Sequence, residues 1–353
     1  MINYIPFLKA KRGELNAMSE LTPEVKQAIC PFFDFPLKKE KYDSESYSRK
    51  THDIASGLKK HWGANSEFYF DDFDITQKLK VEDEEPYAYV LNALKESRVI
   101  PVVGLNRELH NYSVLQLKRE GDIASPIVAF RALQDDFEDF ELNKDEIDYC
   151  LGSVFAQFDE IDLILDCRVC TGLDVSPTAK QIATFMRKFC EAYSVRRVIV
   201  TGSSIPNSLS DTVKTNAAEI VTRRELAIIS KVRELATEDI VAGDYAIVSP
   251  FYSDADLDPK LFPNIMAPRL IYSFEHSHYI ARGISLKAGG YTQYVGLTKA
   301  LCGYDFFRGR GYSAGEDYFD DKQRHIGNNA TNGTVVKPSV VSHITYMALD
   351  AKI

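Results

Sequence analysis

The chain has 353 residues, of which 45% are hydrophobic and 26% are charged, and its formal net charge is −9. This composition is that of a folded globular protein with a large core. The negative charge argues against a nucleic-acid-binding protein that acts by bulk electrostatic attraction, although a local basic pocket is compatible with it. We find no apolar run of membrane-spanning length and no signal-peptide pattern, so we expect a cytosolic protein.

Short β-prone segments alternate with helical segments along residues 1–251. Apolar runs bounded by turn residues predict the strands, and apolar residues at helical spacing predict the helices between them. The predicted strands are 4–11, 29–35, 66–75, 99–107, 125–133, 161–169, 195–204 and 244–251. The predicted helices are 13–28, 48–63, one from residue 86, 113–120, 144–158, 176–193 and 222–235.

Eight strands separated by helices predict an α/β fold with a parallel sheet. Eight is the number that closes a (β/α)8 barrel of the TIM type, and an open doubly wound sheet is the alternative because strand order does not follow from one sequence. We predict a single domain, 1–353, with a barrel core over 1–251 and a C-terminal elaboration over 252–353. Within the elaboration we expect two strands, a helix, a loop over 304–334 and a terminal helix.

Charged side chains gather where the predicted strands end. In a parallel barrel these carboxyl ends meet at one mouth, where such folds bind their ligands. The alternation of side chains along a strand places these groups on the face that points into the barrel. An excess of Lys and Arg suits a phosphate or carboxylate, and nearby carboxylates suit acid–base chemistry. We predict that the anion is held by Lys9, Lys11, Arg131 and Arg168 and that protons are moved by Asp34 and Asp166.

Other motifs give weaker indications of metals and cofactors. Asp71, Asp72 and Asp74 form an acidic cluster of the kind that binds Mg²⁺, which leaves a metal-dependent phosphodiester or nucleotide hydrolase as an alternative. The stretch RGRGYSAGED at 308–317 is one residue too long for the dinucleotide fingerprint and lacks the G-K-[ST] of a phosphate-binding loop. The C-x-x-C at 167–170 lies on a predicted strand, so its thiols should point to opposite faces and form no chelate. We therefore predict neither a cofactor nor a metal.

Both ends of the chain resemble a known family. The opening YIPFLKAKRGELNAMSEL with ICPFFDFP, and the later GGYTQYVGLTKAL, YSAGEDYF and IGNNATNGTVVKPSVVSHIT, are similar to the Beta protein family of phage satellites, prophages and bacterial islands. The likeness spans nearly the whole chain in order, and its middle is carried by the strand–helix alternation. One departure lies near the end, where the family's Trp-Arg pair and doubled His are replaced by Gly333, Thr334 and the Ser342–His343 pair.

The resemblance implies a biological context more than a reaction. It implies an association with phage-defence and prophage-interference loci, where one member restrains a toxic neighbour. It also adds Asp317, Asn328 and His343 to the candidate ligand-binding residues, together with the characteristic Glu14. We expect a defence-associated barrel that binds a small anionic ligand. The alternative is a non-catalytic scaffold whose acidic surface binds a basic partner from a neighbouring gene, such as a toxin; catalysis and oligomeric state stay open here.

Overall fold

A computed structural model of the chain describes residues 2–38, 41–76, 78–251 and 266–352. Its centre is a closed barrel of eight parallel strands. The barrel strands are β1 (Tyr4–Lys9), β2 (Phe32–Asp34), β3 (Phe68–Asp71), β4 (Val99–Val103), β5 (Ile127–Leu133), β6 (Glu160–Val169), β7 (Val195–Ser203) and β9 (Ile240–Asp244), while β8 belongs to a separate sheet. They pair in this order, and β9 closes the ring against β1. The predicted (β/α)8 fold is confirmed, and the open sheet is excluded.

The helices in the first two-thirds of the chain surround the barrel, and further helices follow in the C-terminal region. They are α1 (Arg12–Glu20), α2 (Pro23–Ala28), α3 (Ser44–His61), α4 (Pro86–Ala93), α5 (Glu108–Glu120), α6 (Phe140–Phe155), α7 (Val175–Ala192), α8 (Arg224–Leu235), α9 (Leu286–Gly289), α10 (Gln293–Cys302), α11 (Ala314–Gln323) and α12 (Val336–Leu349). The single helix predicted over 13–28 is therefore wrong. Thr22 caps α2 by accepting a hydrogen bond from Val25 N at 3.4 Å, and Pro23 begins it. A proline at the first turn starts a helix more readily than it continues one.

A three-stranded antiparallel sheet lies beside the barrel. It consists of β10 (Arg269–Phe274), β11 (Ser277–Arg282) and β8 (Ala217–Thr222), in the order β10-β11-β8. The two strands expected in the elaboration are thus present, but β8 was not predicted because its residues are mostly exposed and lack an apolar run. The loop predicted over 304–334 contains α11. β8 lies within the first 251 residues but pairs with β11 of the C-terminal region. The predicted division into a barrel core over 1–251 and an elaboration over 252–353 therefore stays a prediction.

The position of the last barrel strand differs from the prediction. We expected it over 244–251, but β9 ends at Asp244 and the next residues form turns. Ala246 has a left-handed φ of +51°, and Val248 N donates to Tyr245 O at 3.1 Å. The apolar run after the strand misled the prediction because its side chains are buried over the mouth rather than within the sheet.

Three apolar cores hold these layers together. One fills the barrel interior, a second lies between the strands and the surrounding helices, and a third lies in the C-terminal region. The interior core contains Ile5, Phe7, Phe32, Tyr69, Ile100, Val102, Ile127, Ala129, Ile164 and Ile199. No helix in the described part of the chain has the length and apolar character needed to cross a membrane.

The amino-terminal end of the barrel, called its base here, is closed by a charged group around Asp162. Tyr69 donates to Asp162 Oδ2 at 2.6 Å, and Arg196 binds both carboxylate oxygens, at 2.9 Å and 2.5 Å. Arg197 Nη1 donates to Tyr69 Oη at 2.6 Å. These bonds satisfy a carboxylate that is fully buried, as a charge in a barrel interior requires.

Candidate active site at the barrel mouth

The mouth, at the carboxyl ends of the barrel strands, carries a layer of charged side chains above the apolar interior. The strand register pairs Lys9 with Asp34 and Asp34 with Asp71, which places these three on the inward face. Arg131 of β5 and Asp166 of β6 join them across the barrel. All five are buried, with at most 5% of their surface exposed. The structure therefore brings together four residues predicted from sequence and Asp71.

Arg131 is the centre of this layer. Its Nη1 donates to Asp34 Oδ1 at 2.9 Å and to Asp71 Oδ2 at 2.8 Å. Its Nε and Nη2 both donate to Asp166 Oδ2, at 3.0 Å and 2.8 Å, and Nη2 also donates to Tyr245 Oη at 2.7 Å. These bonds use all the N–H groups of a guanidinium. Arg131 therefore holds three carboxylates and Tyr245 in place, and its donors are engaged within the protein.

The carboxylates of the layer differ in proton affinity. Burial raises the pKa of Asp34 to about 6, with Arg131 opposing the shift and Asp71 adding to it. Burial also acts to raise the pKa of Asp71, but Arg107 and Arg131 outweigh it and hold that pKa below its usual range. Asp34 is therefore the group that exchanges a proton close to neutral pH, as a general acid or base must.

Arg168 lies beside this layer in a strained backbone conformation. Its φ is +51°, after a register irregularity between β6 and β7, and such strain in a residue other than Gly concentrates at functional sites. Its guanidinium lies between the rings of Phe73 and Phe251, 4.9 Å and 4.7 Å from their centroids. Its Nη2 donates to Pro250 O at 3.4 Å, which also accepts from Lys9 Nζ at 3.4 Å. Lys9 and Arg168 thus converge on one carbonyl oxygen from β1 and β6, which are three positions apart around the barrel.

Two buried polar atoms at the mouth have no hydrogen-bond partner among the described residues. They are Nη1 of Arg168, a residue only 8% exposed, and Oγ1 of Thr201, 1% exposed. Thr201 pairs in register with Asp166 on the neighbouring strand, so both atoms belong to the same side of the mouth. Buried polar groups are nearly always hydrogen-bonded, and exceptions require an explanation. Arg168 is the more accessible of the two residues, and its Nη1 is the donor available to a ligand.

A cavity of about 270 Å³ opens at this side of the mouth. We call it the basic cavity, because Lys9, Lys11 and Arg269 line it with Glu14 and Phe251. Burial lowers the pKa of Lys9 from 10.5 to about 8, and burial raises the pKa of Glu14 to about 7. Because burial disfavours both charged forms, an anion that interacts with Lys9 would stabilise its charged state.

Asp71 and Asp72 form a possible metal-ligand group with His110, although not with Asp74 as the sequence suggested. One ligand atom from each of the three lies within 4.8 Å of the others. Arg107 Nη2, however, donates to Asp71 Oδ1 at 2.7 Å and to Asp72 Oδ1 at 3.1 Å, and lies 2.9 Å from His110 Nδ1. The guanidinium supplies the positive charge that a metal would supply, so metal binding here requires Arg107 to move.

His343 takes part in a separate network outside the barrel wall. Ser273 Oγ lies 2.6 Å from His343 Nδ1, and His343 Nε2 lies 2.9 Å from Asp244 Oδ1. Tyr4 donates to the same oxygen at 2.5 Å, and Arg223 binds the other carboxylate oxygen. The order resembles a Ser-His-Asp triad, but all five residues are at most 1% exposed, which gives a substrate no access to the serine. The network instead joins α12 and β10 to the barrel.

The sequence profile of the Beta protein family matches residues 4–349, from the first residue of β1 to the last of α12. The chain belongs to the Beta protein family. No curated protein matches the chain, and no solved structure matches it. The family's extent therefore includes both the barrel and the C-terminal region.

Two positions from the family resemblance lie away from the basic cavity. Asp317 lies on α11, where its Oδ1 accepts a hydrogen bond from Gly311 N at 2.8 Å. Asn328 is exposed in the segment that follows α11. Neither residue lines the basic cavity, so their ligand-binding role stays a prediction, as does that of the buried His343.

The cysteine prediction is wrong in one respect. Cys167 and Cys170 do not point to opposite faces, because both side chains lie in the apolar core between the strands and the surrounding helices, where the neighbouring Cys167 raises the pKa of Cys170. β6 ends at Val169, and the left-handed backbone of Arg168 between the two cysteines turns them together. Both thiols are buried and free.

Sequence reasoning missed the aromatic part of the site. Tyr245 donates to Asp166 Oδ2 at 2.5 Å, and Phe73 lies against Arg107, Arg131 and Arg168. Tyr245 could have been found from its position directly after β9. It was missed because the last barrel strand was predicted too late in the chain, over 244–251. Phe73 has no signal in the sequence, because it lies in a turn after β3 and only the fold places it over three arginines.

Proposed function

We propose that the mouth of the barrel binds the anionic group of a small ligand, a phosphate or a carboxylate. The observation that carries this proposal is Nη1 of Arg168, a buried guanidinium nitrogen without an acceptor among the described residues. A buried donor left without a partner is costly, and an anionic oxygen would satisfy it with a strong charge-assisted bond. Lys9 and Lys11 line the adjoining basic cavity and add positive charge.

Within this proposal the predicted residues have three roles. Arg168, Lys9 and Lys11 contact the anion, and Asp34 gives or takes a proton, because its pKa of about 6 suits either direction. Arg131 and Asp166 position the others. Asp166 accepts from Arg131 and Tyr245 through Oδ2 and from Arg168 N through Oδ1 at 2.8 Å, which fixes the bend that presents Arg168.

The biological setting of this proposal comes from the family. We place the protein in the cytosol, at loci concerned with phage defence or prophage interference. The alternative of a scaffold that restrains a partner toxin draws support from the net charge of −9, which suits a basic partner. The metal-dependent hydrolase has less support, because Asp74 pairs with Arg168 at 3.5 Å and Arg107 neutralises Asp71 and Asp72.

Calorimetric titration with inorganic phosphate and with acetate tests the proposal directly. We expect binding of at least one of these anions, and a loss of affinity of about tenfold or more in Arg168→Gln, which removes the charge and keeps a polar side chain. Arg187→Gln is the matched control, because Arg187 is exposed on α7. Equal affinity in wild type and Arg168→Gln, or no binding of either anion, would overturn the proposal.

A second experiment separates ligand binding from the scaffold alternative. The double variant Lys9→Ala, Arg168→Ala should lose protection against phage in cells while remaining folded by circular dichroism. Co-purification of a neighbouring gene product that survives this double substitution, together with full protection, would favour the scaffold instead.

A further inference from the structure

A second cavity, of about 260 Å³, lies at the mouth and has the opposite charge. We call it the acidic cavity, because Asp72, Glu85 and Asp136 line it. Apolar side chains make up much of the remaining wall. The other lining residues are Phe73, Ile75, Leu105, Asn106, Arg107, His110 and Leu133.

The protein compensates the negative charge of these carboxylates only in part. Glu85 Oε2 accepts from Ala88 N at 3.0 Å, and Asp136 Oδ2 accepts from Leu133 N at 2.8 Å, so each is oriented by a backbone N–H. Burial raises the pKa of Glu85, to which Asp72 adds, and burial also raises the pKa of Asp136. A cation in the cavity would offset the burial of both groups and the repulsion between Glu85 and Asp72.

Arg168 lies close to the walls of both cavities, although it lines neither. Phe73 lines the acidic cavity and Phe251 lines the basic cavity, and the Arg168 guanidinium is 4.9 Å and 4.7 Å from the centroids of these rings. The group that carries the unpartnered Nη1 is therefore near both a site that suits a negative group and one that suits a positive group. The left-handed backbone of Asn106, with a φ of +57°, adds a second strained residue to the acidic side.

We propose that the natural ligand is bipolar, with a phosphate or carboxylate held at Arg168 and the basic cavity, and an amine or guanidinium group held in the acidic cavity. This inference rests on the proposed function, because it assigns the other end of the same ligand. Together the two cavities have the volume of a small-molecule site. The apolar wall around the carboxylates suits the carbon chain that joins the two ends.

The test uses two series of synthetic probes that differ by one group. ω-Aminoalkyl phosphates of increasing chain length are compared by calorimetry with the corresponding alkyl phosphates. We expect the amine to raise affinity by about tenfold at one optimal chain length, where both ends reach their cavities. Shorter and longer amines should gain less.

Matched variants assign the gain to the acidic cavity. Glu85→Gln and Asp136→Asn keep the acceptor oxygens but remove the charges, so they should shrink the affinity ratio between aminoalkyl and alkyl phosphates towards one. Glu234→Gln is the control, because Glu234 is exposed on α8 and pairs there with Lys231. A ratio that persists in both cavity variants would overturn the inference.

The outcomes for the two proposals are distinct. Alkyl phosphates that bind with Arg168-dependent affinity but gain nothing from any amine would leave the proposed function intact and overturn the bipolar ligand. Failure of every phosphate and of acetate to bind would overturn the proposed function itself. Alkylamines without a phosphate should bind too weakly to account for the gain alone.

Discussion

The two ends of the barrel are closed by the same kinds of side chain but differ in how completely these are paired. At the base, Tyr69, Arg196 and Arg197 surround Asp162. At the mouth, Arg131 gathers three aspartates and a tyrosine, but Arg168 beside it keeps a nitrogen without a partner among the described residues.

We interpret the paired charges of the base as serving stability. A closed barrel must satisfy the buried charges at either end, and the base does so with contacts among Asp162, Tyr69, Arg196 and Arg197. Cavities open at both ends, but the left-handed backbone of Arg168 and a carboxylate whose pKa is near neutral lie at the mouth. Function in such barrels collects at the carboxyl ends of the strands, and this asymmetry agrees with that rule.

The largest effect should follow from breaking the centre of the mouth. Arg131→Met leaves Asp34, Asp71 and Asp166 buried together without their cation, and we expect it to lower the free energy of unfolding by about 5 kcal/mol at neutral pH. The loss should shrink towards pH 4, because protonation relieves the uncompensated carboxylates. Urea denaturation across pH measures it, with Arg187→Met as the exposed control. A loss below about 1 kcal/mol would contradict the central role of Arg131.

A similar break at the base should cost stability alone. Asp162→Ala leaves Arg196 and Tyr69 without their shared acceptor, and we expect a loss of about 3 kcal/mol by urea denaturation. Asp159→Ala, an exposed position three residues earlier, should change stability by less than about 0.5 kcal/mol. Phosphate affinity of the folded Asp162→Ala protein should match wild type. Reduced affinity would show that the two ends are coupled.

A third comparison isolates the proton affinity of Asp34. Its native pKa of about 6 lies above the ordinary value of 3.8, so the native state keeps a proton that the unfolded chain releases. Stability should therefore fall as pH rises from about 4 to about 6. Asp34→Asn keeps the acceptor for Arg131 but does not ionise, so its stability relative to wild type should rise across that window by about 2 kcal/mol. A difference that is flat with pH would refute the assignment.

The smallest change in stability is expected at Arg168. Nη1 has no partner to lose, and Nη2 loses only its long contacts to Pro250 O and Asp74, at 3.4 Å and 3.5 Å. Arg168→Met should therefore change the free energy of unfolding by less than about 1 kcal/mol, while phosphate binding is lost. Thermal denaturation and calorimetry on the same preparation measure both quantities. A destabilisation as large as that of Asp162→Ala would make Arg168 a structural residue and remove the contrast between the two ends.

Much of the barrel follows from local sequence patterns. The alternation of apolar strands and helices predicted the closed α/β barrel. The period of two predicted inward-facing charges at its mouth, namely Lys9, Lys11, Arg131, Asp166 and Arg168, and the end of the second strand predicted Asp34 there. The displaced eighth strand shows the limit of this reasoning, because an apolar run is buried equally well in a strand or in turns that cover the mouth. The exposed β8 shows the converse, since pairing with β11 makes a strand where the sequence has no apolar run.

The site was only partly predictable for a related reason. Arg168 was identified from its place at the end of β6, but its left-handed backbone and its position between Phe73 and Phe251 depend on a bend that no local pattern encodes. His343 was identified from the family resemblance, and its burial against Asp244 depends on how α12 packs against the barrel. Neither property follows from residue type.

By itself, the sequence determined the number of barrel strands, the fold class and most of the charges that reach one end of the barrel, because these depend on local periodicity and on the shared direction of parallel strands. Only the tertiary structure decided which of those charges are already paired. Arg131 and Arg168 look equivalent along the chain, yet one has all its donors satisfied within the protein and the other does not. Pairing depends on residues far apart in sequence, and the proposed site lies where that pairing is incomplete.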